Sequence, residues 1–389
     1  MRNSRWATQA SCFLLSCAIT SVALPAQTLT TLHSFEESEG HFSFGSLLQA
    51  KNGNFYGTMN YGGAHTYGTV FEITPEGGLA TLHSFDQTDG QQPKAGLVLG
   101  ADGDFYGTTS VGGSAFDGTI FKITAGGNFT KLHSVSRHKD GAEPDAPLVK
   151  GRDGNFYGTT SSGGPHGGGT VFKITPEGAL TTLYGFCAQT ANNICIDGDI
   201  PLGALVQGAN GNFYGTTDLG GTHDAGTVFE VTAAGKLTTL HSFSGTGEDG
   251  NGPPAGLVLA SNGNFYGTTA GGGAHSHGTI FEMTPAGALT TIHSFAGADG
   301  AGPSGSLIQA TNRNIYGVTL VGGTQGDGAI FEITLSGKLT TLYSFGSHKG
   351  DGANPWAGLV QGMNGDLYGT TLGRGSFGDG TFFKLSLDK

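Results

Sequence analysis

The sequence predicts an all-β fold, a seven-bladed β-propeller of four-stranded antiparallel blades, on three observations. A phrase spelled Asn-Phe-Tyr-Gly-Thr-Thr in its commonest form returns seven times, around Tyr56, Tyr106, Tyr157, Tyr214, Tyr266, Tyr316 and Tyr368, at spacings of 50, 51, 57, 52, 50 and 52 residues. Each unit holds four short runs rich in β-branched and aromatic residues and bounded by Gly, Pro, Asn or Asp, and no useful stretch shows helical periodicity. The chain opens on an isolated fourth-strand segment, Leu29 to Phe35, and ends on first, second and third segments alone. Seven complete sets exist only if the ring closes, with the N-terminal strand completing the last blade; closure also covers the sheet edges. A period near 50 residues suits a propeller blade, since kelch blades run about 50 residues.

Within a unit the strands are named A to D, expected in unit 2 over 96–99, 105–109, 119–124 and 129–134. Asn52-Gly53 and its Asn/Asp-Gly equivalents in five other units read as tight A–B turns. Thr74-Pro75-Glu76-Gly77 and its relatives read as C–D turns. Alternation puts Phe105 and Tyr106 on opposite faces of strand B, both covered by neighbouring blades, so the repeated aromatics are expected to be core. Gly107 is expected to permit close approach of the next blade.

Residues 1–26 carry Arg2, Arg5, an apolar run from Cys12 to Leu24 and small residues at Pro25-Ala26, which reads as a secretory signal peptide. The competing reading makes Cys17 a lipidated first residue. Residues 27–389 then form a single propeller domain, expected to be a monomer. The apolar run falls short of the roughly 20 residues a spanning helix needs, and no later segment approaches that length. Without residues 1–26 the chain has 16 Lys plus Arg against 30 Asp plus Glu, a formal charge of −14. Such a surface repels phosphate backbones, so nucleic acid and anionic membrane are poor partners. The remaining cysteines, Cys187 and Cys195, flank the one clear insertion and are expected to form a disulfide; free thiols or a metal pair are the alternatives.

Gly-Asn-Phe-Tyr-Gly-Thr-Thr, Gly-Thr-Val-Phe-Glu-Ile-Thr and Leu-Thr-Thr-Leu-His-Ser-Phe together resemble the GloVer (Gloeo/Verruco) tandem repeat over residues 28–386. That family consists of exported proteins described as having a choice of anchor. The resemblance implies localisation and fold but no catalytic residues. Members often carry a carboxy-terminal sorting segment, whereas Lys389 here follows the final strand almost at once, which favours a secreted, released protein, extracellular or periplasmic.

A residue present in every blade is most simply explained by what every blade needs. The D-strand histidines His33, His83, His133, His241 and His293 are therefore read as a repeated structural hydrogen bond, and the C-strand charges Glu72, Lys122, Lys173, Glu230, Glu282, Glu332 and Lys384 as register and solubility aids. Function is expected in the B–C and D–A loops, which emerge on one face. The B–C loop frames four free residues between glycines. Its tips nominate His65, Tyr67, Phe116, Asp117, His166, His223, Asp224, His275, His277, Asp327, Phe377 and Asp379 as ligand contacts, with Arg374 at the place of a frame glycine. The D–A loop carries Asp89, Asp140, Asp197, Asp249, Asp299 and Asp351, which would suit calcium if they met; as turn formers they need no metal, and no cofactor is otherwise expected. No nucleophile elbow, His-Glu-x-x-His or phosphate loop occurs. The expected function is a non-enzymatic binding module for an extracellular glycan or protein; the alternative is a polysaccharide hydrolase or lyase over the central channel. Unrepeated acidic and basic residues converging on the axis would separate the two.

Overall fold

The computed structural model describes residues 27–245 and 249–387; the expected signal peptide lies outside them. Seven sheets form the ring. In blade 1 strands A to D are Leu48–Gln49, Phe55–Met59, Thr69–Ile73 and Leu79–Ser84, hydrogen-bonded in that order. Blade 7 runs Val360–Gln361, Leu367–Thr370 and Thr381–Leu385, and its fourth place is filled by Leu29–Ser34, with Leu29 opposite Leu385 and Ser34 opposite Thr381. The closure expected from the sequence is therefore the one the chain makes.

The blades are held by one stacking contact repeated around the ring. The tyrosine of one B strand lies against the phenylalanine of the next: Tyr56 on Phe105 at 4.2 Å, Tyr106 on Phe156 at 4.1 Å, Tyr157 on Phe213 at 3.9 Å and Tyr214 on Phe265 at 4.3 Å between ring centroids. Ile315 and Leu367 replace the phenylalanine in blades 6 and 7, where Tyr266 and Tyr316 pack on them within the interblade clusters. Tyr368 then returns to Phe55 at 4.5 Å, in a cluster that also holds Phe35 from the N-terminal segment. Alternation along the strand explains this: Phe and Tyr point to opposite faces, so each blade offers one ring forward and one back.

Two local expectations need adjustment. The A–B connection is a three-residue loop: Gly53 N–H donates to Ala50 O, Ala50 N–H donates to Asn54 O, and Gly53 sits at φ +88°, the geometry of a turn followed by a bulge. Gly107 makes room for its own blade, since a Cβ there would lie 2.5 Å from the ring of Phe121, its cross-strand partner, and 2.8 Å from Leu97. Every D strand carries a register shift opposite strand C, as between Val70–His83 and Phe71–Thr81, which packs Leu82 against the core and leaves His83 toward the D–A loop. On the face of the A–B turns, Gln49, Gln207, Gln309 and Gln361 each accept an N–H from a neighbouring blade.

The Cys187–Cys195 disulfide closes the insertion, whose Thr190–Ala191 and Ile194–Cys195 pair as a small hairpin.

If the aromatic relay holds the ring, Phe55→Ala at the closure costs about 3–5 kcal/mol in denaturant unfolding, the range for a fully buried Phe. Trimming residues 27–35 likewise lowers the thermal midpoint, because it strips strand D from blade 7; unchanged unfolding of either form contradicts closure.

Candidate functional site

The Tyr of each repeat has a hydroxyl as well as a ring, and the C-strand charge is there to receive it. Tyr56 Oη donates to Glu72 at 2.6 Å, and Asn52 and Asn54 donate to the same carboxylate. Burial first, and then the bond to Glu72, push the Tyr56 phenol up to about 12, so it remains a donor. Where strand C has lysine the carboxylates move to the hairpin: Lys122 pairs with Asp104 at 3.2 Å, and Tyr106 donates to Asp102 at 2.8 Å. The sign change read along strand C is thus compensated within each blade rather than between blades.

The D-strand histidines take up the aspartates of the D–A loop. His83 meets Asp89 at 2.8 Å, His133 Asp140 at 3.0 Å, His241 Asp249 at 3.1 Å and His293 Asp299 at 2.8 Å. Tyr184 and Tyr343 donate to Asp197 and Asp351, and in blade 7 Glu39 stands in for the aspartate of His33. Each of the six nominated carboxylates is thus held by an aromatic donor on its own D strand. Among the described residues, the only trio of His, Cys, Asp or Glu with ligand atoms within 4.8 Å of one another is Cys187, Cys195 and Asp199, and there the sulfurs are bonded together.

The B–C and D–A loops do share one face, joined in each blade by bridges such as His41–Tyr61 and Gln91–Val111. They are also stitched between blades. The carbonyl at the fourth tip position, Tyr67, Asp117, Gly168, Ala225, His277 or Asp327, accepts an N–H from the next D–A loop. The fourth tip position is thus tied to the next blade through its backbone. His65, Phe116, His166, His223, Asp224, His275, His277 and Phe377 are exposed, and Tyr67 packs its ring on the core. Asp224 caps the N–H of Gly220, and Asp117 binds Arg137 at 3.1 Å. Arg374 adopts φ +61° in place of a frame glycine, forms a bridge with Asp379 and pairs with Asp327 of the preceding blade. Arg374 is half-exposed, so that pair contributes at most about 1 kcal/mol.

None of those residues lines the cavity that the ring encloses. Where the A strands begin, glycines let adjacent backbones meet: a Cβ on Gly45 would come 2.3 Å from Gly96 N, and one on Gly305 2.5 Å from Gly358 N. Above this narrow collar the channel opens toward the loop face as a cavity of about 640 Å³, a volume suited to a small ligand. Its wall includes, from every blade, the residue after the D–A proline, or after Ser43 in blade 1: Phe44, Lys94, Asp145, Leu202, Pro254, Ser304 and Trp356. No two of these seven are alike, although the residues around them repeat.

Three unrepeated charged residues, Lys94, Asp145 and Asp218, line this cavity, and Lys94 with Asp145 is the one pair of them at salt-bridge distance. Lys94 Nζ lies 3.1 Å from Asp145, whose carboxylate also accepts from Ser110 and Ser161. In blade 4 Asp218 follows the second threonine of strand B and lines the same cavity. Burial holds its carboxyl above the ordinary range. Blades 7 and 1 contribute Trp356 and Phe44, edge to face at 5.6 Å. The site thus has an aromatic wall from blades 7 and 1, a charged pair from blades 2 and 3, and a carboxyl from blade 4.

A closed seven-bladed propeller with a ligand-sized axial mouth is the class of protein these features define. The chain belongs to the Gloeobacter/Verrucomicrobia repeat family, whose model matches residues 16–197 and 200–389. No curated protein matches it. Solved structures similar in fold include a streptogramin B lyase, 14% identical with a TM-score of 0.61 over 93% of this chain and 98% of that one. Virginiamycin B lyase from Staphylococcus aureus is 13% identical at TM-score 0.61, over 93% and 99%. An extracellular domain from B. thetaiotaomicron is 10% identical at TM-score 0.62, over 93% of this chain and 40% of that chain. At these identities the likeness is one of fold.

A carboxyl raised by burial binds its proton more tightly in the folded state. Its stabilising contribution is complete below the unfolded-state value and is lost as pH rises through the folded-state value. Asp218→Asn should therefore raise the thermal midpoint in neutral buffer and leave it unchanged in acid, below the ordinary carboxylate range. A variant less stable than wild type at neutral pH would show that Asp218 is held by a partner as an anion.

Proposed function

We propose that the protein is an exported binding module whose ligand, a glycan, occupies the axial mouth. The observation that carries this reading is the lining itself: the one ring of positions at the axis where all seven blades differ. Scaffold needs explain a residue that recurs, but not seven different residues at one station. An aromatic wall beside lysine, carboxyl and hydroxyl groups suits a sugar, which presents apolar C–H faces and a rim of hydroxyls. The disulfide and the extracellular domain among the structural neighbours support a location outside the cytoplasm, and the signal-like residues 1–26 would deliver the chain there.

One observation favours a second reading, catalysis on the same ligand. Asp145 beside Lys94 and Asp218 in a desolvated position are two carboxyls in different environments, the arrangement glycoside hydrolysis uses. Turnover of a polysaccharide that disappears in Asp218→Asn would establish this reading in place of simple binding.

The chain has two tryptophans, Trp6 and Trp356, so protein beginning at residue 27 reports on the mouth alone. Titration with a panel of neutral and charged oligosaccharides should shift or quench Trp356 emission saturably for at least one class. Lys94→Ala and Asp145→Ala should each weaken that binding about tenfold, as when one partner of a partly buried pair at the ligand contact is removed. Silence across the panel, or full binding by both variants, counts against the mouth as the site.

A further inference from the structure

The aromatic wall does not stop at the mouth. Where the D–A and B–C loops meet, at stations that vary from blade to blade, blade 1 is aromatic: His41 and Phe42 stand where blade 2 has Gln91 and Gln92, and Tyr61 stands where it has Val111. These rings form a continuous series with those of the cavity. Trp356 meets Phe44 at 5.6 Å, Phe44 stacks with Phe42 at 6.2 Å, Phe42 meets Tyr61 at 6.2 Å, and Tyr61 stacks on His41 at 5.6 Å. Phe42, Tyr61 and Trp356 are each between 36% and 39% exposed, so the series lies open on the loop face. Phe42 holds φ +60°, the conformation that this station takes in every blade, with Gln92, Glu143, Ile200 and Asn354 at φ +56° to +59°.

We infer that this series is a track that extends the mouth into a groove for a linear, uncharged polysaccharide, one end of the chain lying in the axial cavity and the following sugars running outward over blade 1. The inference rests on the glycan reading of the mouth and adds to it the length and charge of the ligand. Three features fix the occupant's chemistry. The rings succeed one another without a gap, as a repeating chain of apolar sugar faces requires and a single compact ligand does not. Hydrogen-bonding groups lie along them, with Gln92 donating to the Tyr61 hydroxyl at 3.1 Å. The formal charge of −14 for residues 27–389 disfavours a polyanionic chain.

The test compares chain lengths. Protein from residue 27 onward is titrated with cello-, manno- and chito-oligosaccharides, disaccharide against hexasaccharide, by calorimetry and Trp356 emission. The hexasaccharide of the recognised series should bind about tenfold or more tightly than its disaccharide, one or two additional stacking contacts being enough for that factor. A Phe42→Ala/Tyr61→Ala double variant should remove this advantage while leaving disaccharide binding intact, and Trp356→Ala should weaken both, read by calorimetry. Thermal unfolding of each variant confirms the fold. Disaccharide and hexasaccharide binding alike, or a double variant with the wild-type length dependence, overturns the track and leaves the mouth standing. Binding of a polyanionic oligosaccharide in preference to the neutral ones also overturns it, and binding of no saccharide removes the mouth reading and the track together.

Discussion

The packing of each blade's strand-B tyrosine on the facing strand-B residue of the next blade, a phenylalanine in five blades and Ile315 or Leu367 in the other two, is the contact on which the rest of the structure depends. It explains why both residues are required in one strand, why strand B is buried along its whole length, and why the ring must close, since an open array would leave Phe55 and Tyr368 without their partners. The same tyrosine then sets the polar chemistry of the opposite face. Its buried hydroxyl needs an acceptor, and the chain supplies one from strand C as Glu72 or from the hairpin as Asp102. A charge on one strand is thereby tied to the residues of a turn roughly twenty positions earlier.

The outer part of each blade follows a similar logic. A bulge in strand D turns a leucine into the core and leaves the adjacent His or Tyr facing the D–A loop, where it holds an aspartate. That aspartate also accepts backbone N–H groups of its own turn, as Asp89 does from Asp86. Histidine and aspartate, which in isolation suggest metal or catalysis, are thus committed to shaping a loop, and the loop in turn aims the residue after its proline at the axis. Regular structure at the rim is what allows irregular chemistry at the centre.

Fold and site were legible to different degrees for a physical reason. Blades are local objects: strands, turns and the missing fourth strand of blade 7 can be read from runs of neighbouring residues, and the ring followed from them. The mouth is assembled from single residues far apart in sequence, such as Phe44 and Trp356, so no local spacing reveals it. A sequence signal exists as variation at one station of the repeat, the residue after the proline, but the loop tips vary as well, so variation alone does not separate the two. Geometry separates the two: tips such as His65 and Phe116 point to solvent, whereas Lys94, Asp145 and Asp218 face a shared cavity. The expectation for Gly107 missed because a glycine's use depends on which ring lies across the sheet, and Phe121 of the same blade fills that space.

The central claim, that the repeated residues are scaffold and the unrepeated ring at the axis is the site, is tested most directly by a crystal structure of the protein grown with a saturating neutral oligosaccharide. The account predicts a sugar ring against Trp356 with hydroxyls in reach of Lys94, Asp145 or Asp218. Density confined to the B–C loop tips, or a mouth that holds only solvent at saturation, would contradict it.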